Sequence, residues 1–137
     1  MKFAYTILYV RDVSRSLAFY ESAFGWQRRF LHESGMYGEL DTGATTLSFV
    51  GHDLAKSKLP EGLQPGDPTR PPAAFEVAFA TADVPAAYDR AVKAGAGGVA
   101  VPKTKPWGQT VAYVRDPDGQ WWNWKDGATA RPKRRIP

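Results

Sequence analysis

The chain contains no cysteine, which excludes disulfide bonds, thiolate nucleophiles and metal sites built from cysteine. It has only two histidines, and it lacks the GxGxxG, P-loop, GxSxG and HExxH motifs. It also lacks an apolar run of the roughly 18–20 residues that a membrane-spanning helix needs. The opening MKFAYTILYVRD is too short and too soon charged for a signal peptide, so we expect a cytoplasmic protein.

The basic residues are in excess only at one end of the chain. The net charge is +4, and residues 125–137 hold five basic residues against one acid, whereas residues 1–124 hold thirteen of each. A neutral body argues against a nucleic-acid-binding groove. We expect residues 125–137 to form a basic flexible tail.

The first half of the chain alternates between the periodicities of strand and helix. FAYTILYV is rich in β-branched and aromatic residues and predicts a strand. Asp12 then precedes VSRSLAFYESAFG, whose apolar residues recur at helical spacing, and Gly25 suits a helix end. Three further strands are predicted over residues 26–31, 37–40 and 45–50.

The second half repeats this order after a segment dense in proline and glycine. A strand over residues 75–80 precedes Asp83 and a helix that ends near Gly95, and three strands follow over residues 99–101, 109–114 and 120–124. A shift of 71 residues places Asp12 on Asp83 and Tyr20 on Ala91.

The repeated order predicts an α+β fold of two tandem βαβββ modules. Residues 1–124 then form a single domain, with module one at 1–51, a linker at 52–73 and module two at 74–124. One face of each sheet would be covered by its helix, and the other faces could curl around a shared cavity.

Three segments, YTILYVRDVSRSLAFYESAFGW, EVAFATADVPAAYDRAVKAGA and VAYVRDPDGQWWNW, carry a family resemblance. They resemble the vicinal oxygen chelate superfamily, which includes glyoxalase I, bleomycin-resistance-type binding proteins and extradiol dioxygenases. The resemblance covers most of residues 3–124 and implies mixed sheets around a cavity and a homodimer. It does not select one function, because the superfamily includes lyases, isomerases, dioxygenases, thiol transferases and non-catalytic drug binders.

The resemblance also points to four positions at which metal-dependent members hold a divalent ion with His, Glu or Gln. In this chain the four positions are Tyr5, Ser48, Glu76 and Asn123. Only Glu76 is a strong ligand, because hydroxyls and amides bind transition metals weakly and a phenol is neutral near pH 7. We therefore expect no metal cofactor.

Glu76 is the candidate catalytic residue, as a general base in a cavity. The alternative is that it is a solvated acid on an exposed strand face. The candidate ligand-binding residues, which combine aromatic walls with a few polar groups, are Tyr5, Tyr9, Ser48, Glu76, Trp107, Trp121 and Asn123. Trp107 lies in a Pro/Gly loop and is either a lid over the cavity or a plug between the modules. Trp122 and Trp124 are expected on the opposite face, beneath a helix.

These expectations lead to two hypotheses about function. The first is a small-molecule-binding protein of this superfamily, without a complete metal site, that binds an aromatic or apolar ligand in a strand-lined cavity. The alternative is a glyoxalase-type lyase or isomerase that is metal-dependent or uses Glu76 as general base. The expected partners are a small-molecule ligand and a second copy of the chain, and neither nucleic acid nor a membrane.

Overall fold

The computed structural model describes residues 1–43 and 45–126, so the expected tail from residue 127 onward lies outside the described residues. Within those ranges the chain forms eight strands and three helices. In chain order they are β1 (Tyr5–Val10), α1 (Val13–Phe24), β2 (Gln27–Leu31), β3 (Tyr37–Asp41), β4 (Thr46–Gly51), α2 (His52–Lys58), β5 (Val77–Ala80), α3 (Val84–Lys93), β6 (Gly97–Thr104), β7 (Thr110–Arg115) and β8 (Trp121–Lys125).

The strands form two sheets with the same topology. Sheet one has the order β1-β4-β3-β2 and sheet two the order β5-β8-β7-β6. In each sheet the first strand runs parallel to its neighbour, and the remaining pairs are antiparallel. This repetition confirms the predicted α+β fold of two βαβββ modules.

Matching aspartates begin the two long helices. The Asp12 carboxylate accepts a hydrogen bond from Arg15 N at 3.1 Å, and that of Asp83 accepts one from Ala86 N at 3.0 Å. Such caps satisfy backbone donors that the first helical turn leaves free, and each stabilises the protein by about 1 kcal/mol. Gly25 ends α1 in the left-handed conformation, with φ of 75°.

Some element boundaries differ from the predicted ones. The strand expected to begin at residue 75 begins at Val77, because Phe75 N donates to the Ala73 carbonyl in a local turn before the chain joins β8. Glu76 therefore precedes β5 rather than lying within it. Helix α2 occupies the start of the expected linker, and β8 continues one residue beyond its predicted end, to Lys125.

The two modules share one aromatic core between their sheets. The ring of Tyr20 in α1 lies 5.0 Å from that of Phe49 in sheet one and 5.1 Å from that of Trp122 in sheet two. Phe79 stacks on Trp122 at 5.1 Å. Trp122 and Trp124 are buried here, on the helix-covered face, as expected. At the position equivalent to Tyr20, α3 has the fully buried Ala91.

One face of each sheet is not covered by a helix, and we call it the open face of that sheet. Strand register places Ile7, Ser48 and Glu39 in one row across the open face of sheet one, and Tyr113 beside Asn123 on that of sheet two. The modules join through their helix-covered faces, so the two open faces point away from the shared core. Among the described residues, no hydrogen bond, ion pair or aromatic contact connects one open face with the other.

None of the helices in the described ranges is both long and apolar enough to cross a bilayer.

Candidate functional site

The open face of sheet one carries a tyrosine–glutamate pair beside a buried hydroxyl. The Tyr37 phenol donates to Glu39 Oε1 at 2.7 Å. Burial raises the pKa of Tyr37, and the bond to Glu39 raises it further, so the phenol remains a proton donor at neutral pH. Ser48 is fully buried in the same sheet beside the Tyr37 phenol, and its Oγ meets no partner in hydrogen-bond geometry among the described residues. Tyr5, 52% exposed, stands on this face of the neighbouring strand.

Arg28 and Arg29 point to opposite sides of β2. Arg29 donates to Thr46 Oγ1 at 3.0 Å on the open face, and its guanidinium lies 3.6 Å from the Asp41 carboxylate. Arg28 instead binds Glu21 of α1 at 2.6 Å. Sheet one thus presents one arginine at the end of its open face, and this arginine is already held by neighbouring oxygens.

The open face of sheet two carries buried polar groups that have no partner. Asn123 is fully buried, and neither its amide oxygen nor its amide nitrogen makes a hydrogen bond within the described chain. The indole nitrogen of Trp121 is also buried and makes no hydrogen bond within the described residues. The ring of Tyr113 stands edge-on to Trp121 at 5.7 Å. Leaving a buried polar group unpaired costs about 1–3 kcal/mol, so these atoms are expected to pair with ordered water or with a polar group of a ligand.

Glu76 lies near the open face of sheet two but is not buried. Desolvation raises the pKa of Tyr113, and the negative charge of the Glu76 carboxylate raises it further. Glu76 itself is exposed in the single chain. The buried environment expected of a general base is therefore not provided by one chain alone.

The predicted site residues fall into two groups. Tyr5, Tyr9 and Ser48 belong to sheet one, whereas Trp121, Asn123 and the adjacent Glu76 belong to sheet two. Within one chain, the site residues of sheet one and those of sheet two therefore do not line a common surface. Trp107 is 65% exposed in the β6–β7 loop, where its indole donates to Gln109 Oε1 at 3.0 Å. That exposure is inconsistent with a plug between the modules.

The sequence analysis overlooked Tyr37, Glu39 and Tyr113. Alternation within YGELD places Tyr37 and Glu39 on one side of β3, and the same reasoning puts Tyr113 opposite Asn123. The alternation is readable from the sequence, but these three residues lie outside the four positions that the family resemblance implies.

A separate polar cluster in the core has a structural role. The Asp116 carboxylate accepts hydrogen bonds from the Tyr20 hydroxyl, from Trp122 Nε1 at 3.2 Å and from Gln120 N at 2.8 Å. Burial raises the pKa of Asp116, and burial next to this carboxylate raises the pKa of Tyr20 well above its usual value. The phenol therefore stays a donor, and the cluster connects α1 to the β7–β8 turn.

The donor set is unsuited to a transition metal. The described residues contain no cluster of three or more His, Asp or Glu side chains that could hold an ion. The positions matched by resemblance supply one carboxylate, one phenol, one hydroxyl and one amide, divided between two open faces. Octahedral and tetrahedral sites need several imidazole, carboxylate or thiolate ligands aimed at one point.

Comparison with known proteins agrees with the fold. The sequence profile of the Glyoxalase/Bleomycin resistance protein/Dioxygenase superfamily matches residues 2–124. Among solved structures, a glyoxalase-related enzyme from Fulvimarina pelagi is 21% identical with a TM-score of 0.79, covering 93% of this chain and 88% of that one. A glyoxalase/bleomycin resistance protein/dioxygenase family enzyme from Burkholderia phytofirmans PsJN is 23% identical with a TM-score of 0.72, covering 92% and 98%.

A third similar structure, TioX from Micromonospora sp. ML1, is 21% identical with a TM-score of 0.69, covering 92% of this chain and 98% of that one. At these identities the likeness shows the fold alone. The search of curated proteins finds no match.

Proposed function

The chain belongs to the glyoxalase/bleomycin resistance protein/dioxygenase superfamily, and from that premise we propose that it binds a small aromatic or apolar molecule on its open faces. The observation that carries this proposal is the set of buried polar atoms without a partner, Ser48 Oγ and the Asn123 amide, surrounded by aromatic side chains. Apolar walls with a few convergent polar groups are typical of ligand sites. A ligand carrying one donor and one acceptor would satisfy the Asn123 amide, and a further polar group would pair with Ser48 Oγ.

We further propose that a second copy of the chain completes the site. Strands β1 and β5 are edge strands of their sheets, and exposed apolar side chains lie along or just before both of them, at Phe3, Tyr5 and Phe75. Exposed sheet edges of this kind favour pairing with another chain. Pairing β1 of one protomer with β5 of its partner would place Ser48 and Asn123 on one continuous surface.

The proposed site works without a metal ion, because its two carboxylates, Glu39 already bonded to Tyr37 and Glu76 on the other sheet, are a weak basis for metal binding. Recognition then rests on aromatic contacts, on the Tyr37–Glu39 pair and on the two buried polar groups. This is the chemistry of a protein that sequesters or carries its ligand.

Nile red, a neutral apolar dye, tests the binding proposal. We expect saturable binding to the full chain, with Trp121→Ala lowering the affinity about tenfold, since an aromatic contact contributes roughly 1 kcal/mol beyond its buried area. Dye fluorescence during titration gives the dissociation constant. The matched control is Val92→Ala, which removes an exposed apolar side chain from α3. No saturable binding, or an equal loss in both variants, would contradict the proposal.

A second candidate function is a lyase or isomerase in which Glu76 is the general base. The Glu76 carboxylate and the Tyr113 phenol at sheet two favour it, because a base together with a proton donor suits transfer of a proton at carbon next to a carbonyl. The donor set does not support the metal-dependent form of this chemistry.

Glu76→Gln separates the two functions. Because Glu76 is exposed, we expect the melting temperature to change by no more than a few degrees. If Glu76 is a base, the wild-type chain exchanges the α-protons of dihydroxyacetone with D₂O. The exchange rate of the variant is then at least about 10²-fold lower. Proton NMR follows the exchange, with Glu61→Gln as the control for an exposed glutamate elsewhere. Wild-type exchange no faster than buffer argues against the catalytic candidate.

A further inference from the structure

The segment that joins the modules forms one wall of a cleft at the β7–β8 end of sheet two. Residues 64–74 pack against the β7–β8 turn and border an open cleft of about 620 Å³. The Arg115 guanidinium fixes the two sides together by donating to the carbonyls of Gly119 at 2.9 Å, Pro68 at 3.1 Å and Asp67 at 3.1 Å. We call this cavity the linker cleft.

Two glycines bring the backbones of the linker cleft into close contact. A side chain at Gly66 would collide with the Asp118 carbonyl, and one at Gly119 would lie 2.8 Å from the Asp67 carbonyl carbon. Gly119 also has φ of 86°, which side chains rarely adopt. The fit between linker and turn therefore depends on these residues, and the cleft is a built feature of the fold.

The linker cleft is lined by three cations and one carboxylate. Arg11, Arg70 and Arg115 face it, and the acid is Asp67. Thr69 already donates to the Asp67 carboxylate through its backbone N at 2.8 Å and its hydroxyl at 2.6 Å. These bonds lower the pKa of Asp67, and Arg70 and Arg11 add to the shift. The cleft thus has an excess of two positive charges at neutral pH.

Two of these guanidiniums keep donors available to a ligand. The side chain of Arg11 makes no hydrogen bond or ion pair within the described residues, and Arg70 is 74% exposed with a loose 3.7 Å contact to Asp67. Guanidinium groups present several N–H donors that match the oxygens of carboxylate and phosphate. The side-chain amides of Gln64 and Gln120 also face the cleft.

We propose that the linker cleft binds a small organic polyanion through phosphate or carboxylate groups, with Arg11 and Arg70 as the charged contacts. The volume lies in the range of small-molecule sites and exceeds the need of a single inorganic ion. The cleft borders the open face of sheet two only at Arg115, which pairs with Trp121, so it offers the chain a place for a second ligand of opposite character to the apolar one.

Isothermal titration of the full chain with pyrophosphate and with citrate, at constant ionic strength, tests this proposal. The anion that binds more tightly shows whether phosphate or carboxylate is preferred. The double variant Arg11→Ala/Arg70→Ala should lower the affinity at least about tenfold. The control Lys58→Ala/Lys93→Ala removes the same charge from exposed helical positions and should lower it less than about twofold. Nile red binding should stay unchanged in both.

Three results would overturn the proposal. They are no binding of either anion by the wild-type chain, an equal loss in both double variants, and undiminished binding by Arg11→Ala/Arg70→Ala. The last would locate the anion on other basic residues, such as Arg134 and Arg135 near the end of the sequence. Circular dichroism confirms folding of both double variants, whose replaced side chains are all exposed.

Discussion

Trp122→Ala is expected to lower the free energy of unfolding by about 3–5 kcal/mol, enough to leave much of the protein unfolded near 37 °C. Trp122 is fully buried, stacks on Phe79 at 5.1 Å and meets Tyr20 edge-on at 5.1 Å. The substitution empties the centre of the core that both modules share. It also removes one of the three donors to the buried Asp116 carboxylate.

Urea denaturation followed by circular dichroism measures this effect. Trp107→Ala is the matched control, because Trp107 is 65% exposed and its loss should change stability by less than about 0.5 kcal/mol. Trp122→Phe separates the two contributions, since it keeps a ring in the core and removes the indole N–H, which should cost about 1–3 kcal/mol. Equal stability of Trp122→Ala and Trp107→Ala would contradict the shared core.

Sedimentation equilibrium is expected to give twice the chain mass of 15.1 kDa, and Phe75→Asp is expected to weaken this dimer about a hundredfold. This prediction rests on the proposed pairing of β1 with β5 of a second copy. Phe75 is 51% exposed directly before β5, so aspartate costs the single chain little but places an unpaired charge in the contact between chains. Nile red affinity should fall in parallel, because the site would lose half of its wall.

The control for this experiment is Val92→Asp, which makes the same kind of change on the outer side of α3, where Val92 is 39% exposed. It should leave the dimer intact. A wild-type chain that stays monomeric over the whole concentration range would contradict the proposed pairing. Dissociation by both variants to the same extent would place the contact elsewhere.

The fold could be predicted because its signals are local. Asp12 and Asp83 precede helical apolar patterns at a constant offset, and both cap their helices as this spacing indicates. The burial of Trp122 and Trp124 followed from the two-residue period of a strand. Each of these inferences needed only a few neighbouring residues.

The arrangement of the site could not be predicted, because it depends on how distant parts of the chain pack. Ser48 and Asn123 belong to different open faces, and no local pattern reveals on which side the modules join. Asp116 begins the DPDG segment between β7 and β8, and no local pattern reveals that it accepts a hydrogen bond from Tyr20, 96 positions earlier in the chain. The turn before Val77, which keeps Glu76 out of β5, depends on one backbone hydrogen bond of Phe75.

The equivalent helix positions Tyr20 and Ala91 carry side chains of very different size, and this difference decides whether one module could replace the other. Both positions are fully or almost fully buried in the shared core, one with a large ring and the other with a methyl group. Two copies of module one would bring two such rings into a space that holds one, and two copies of module two would leave a void. The two modules are therefore not interchangeable, and a chain built from two copies of either one would need a compensating change at this position.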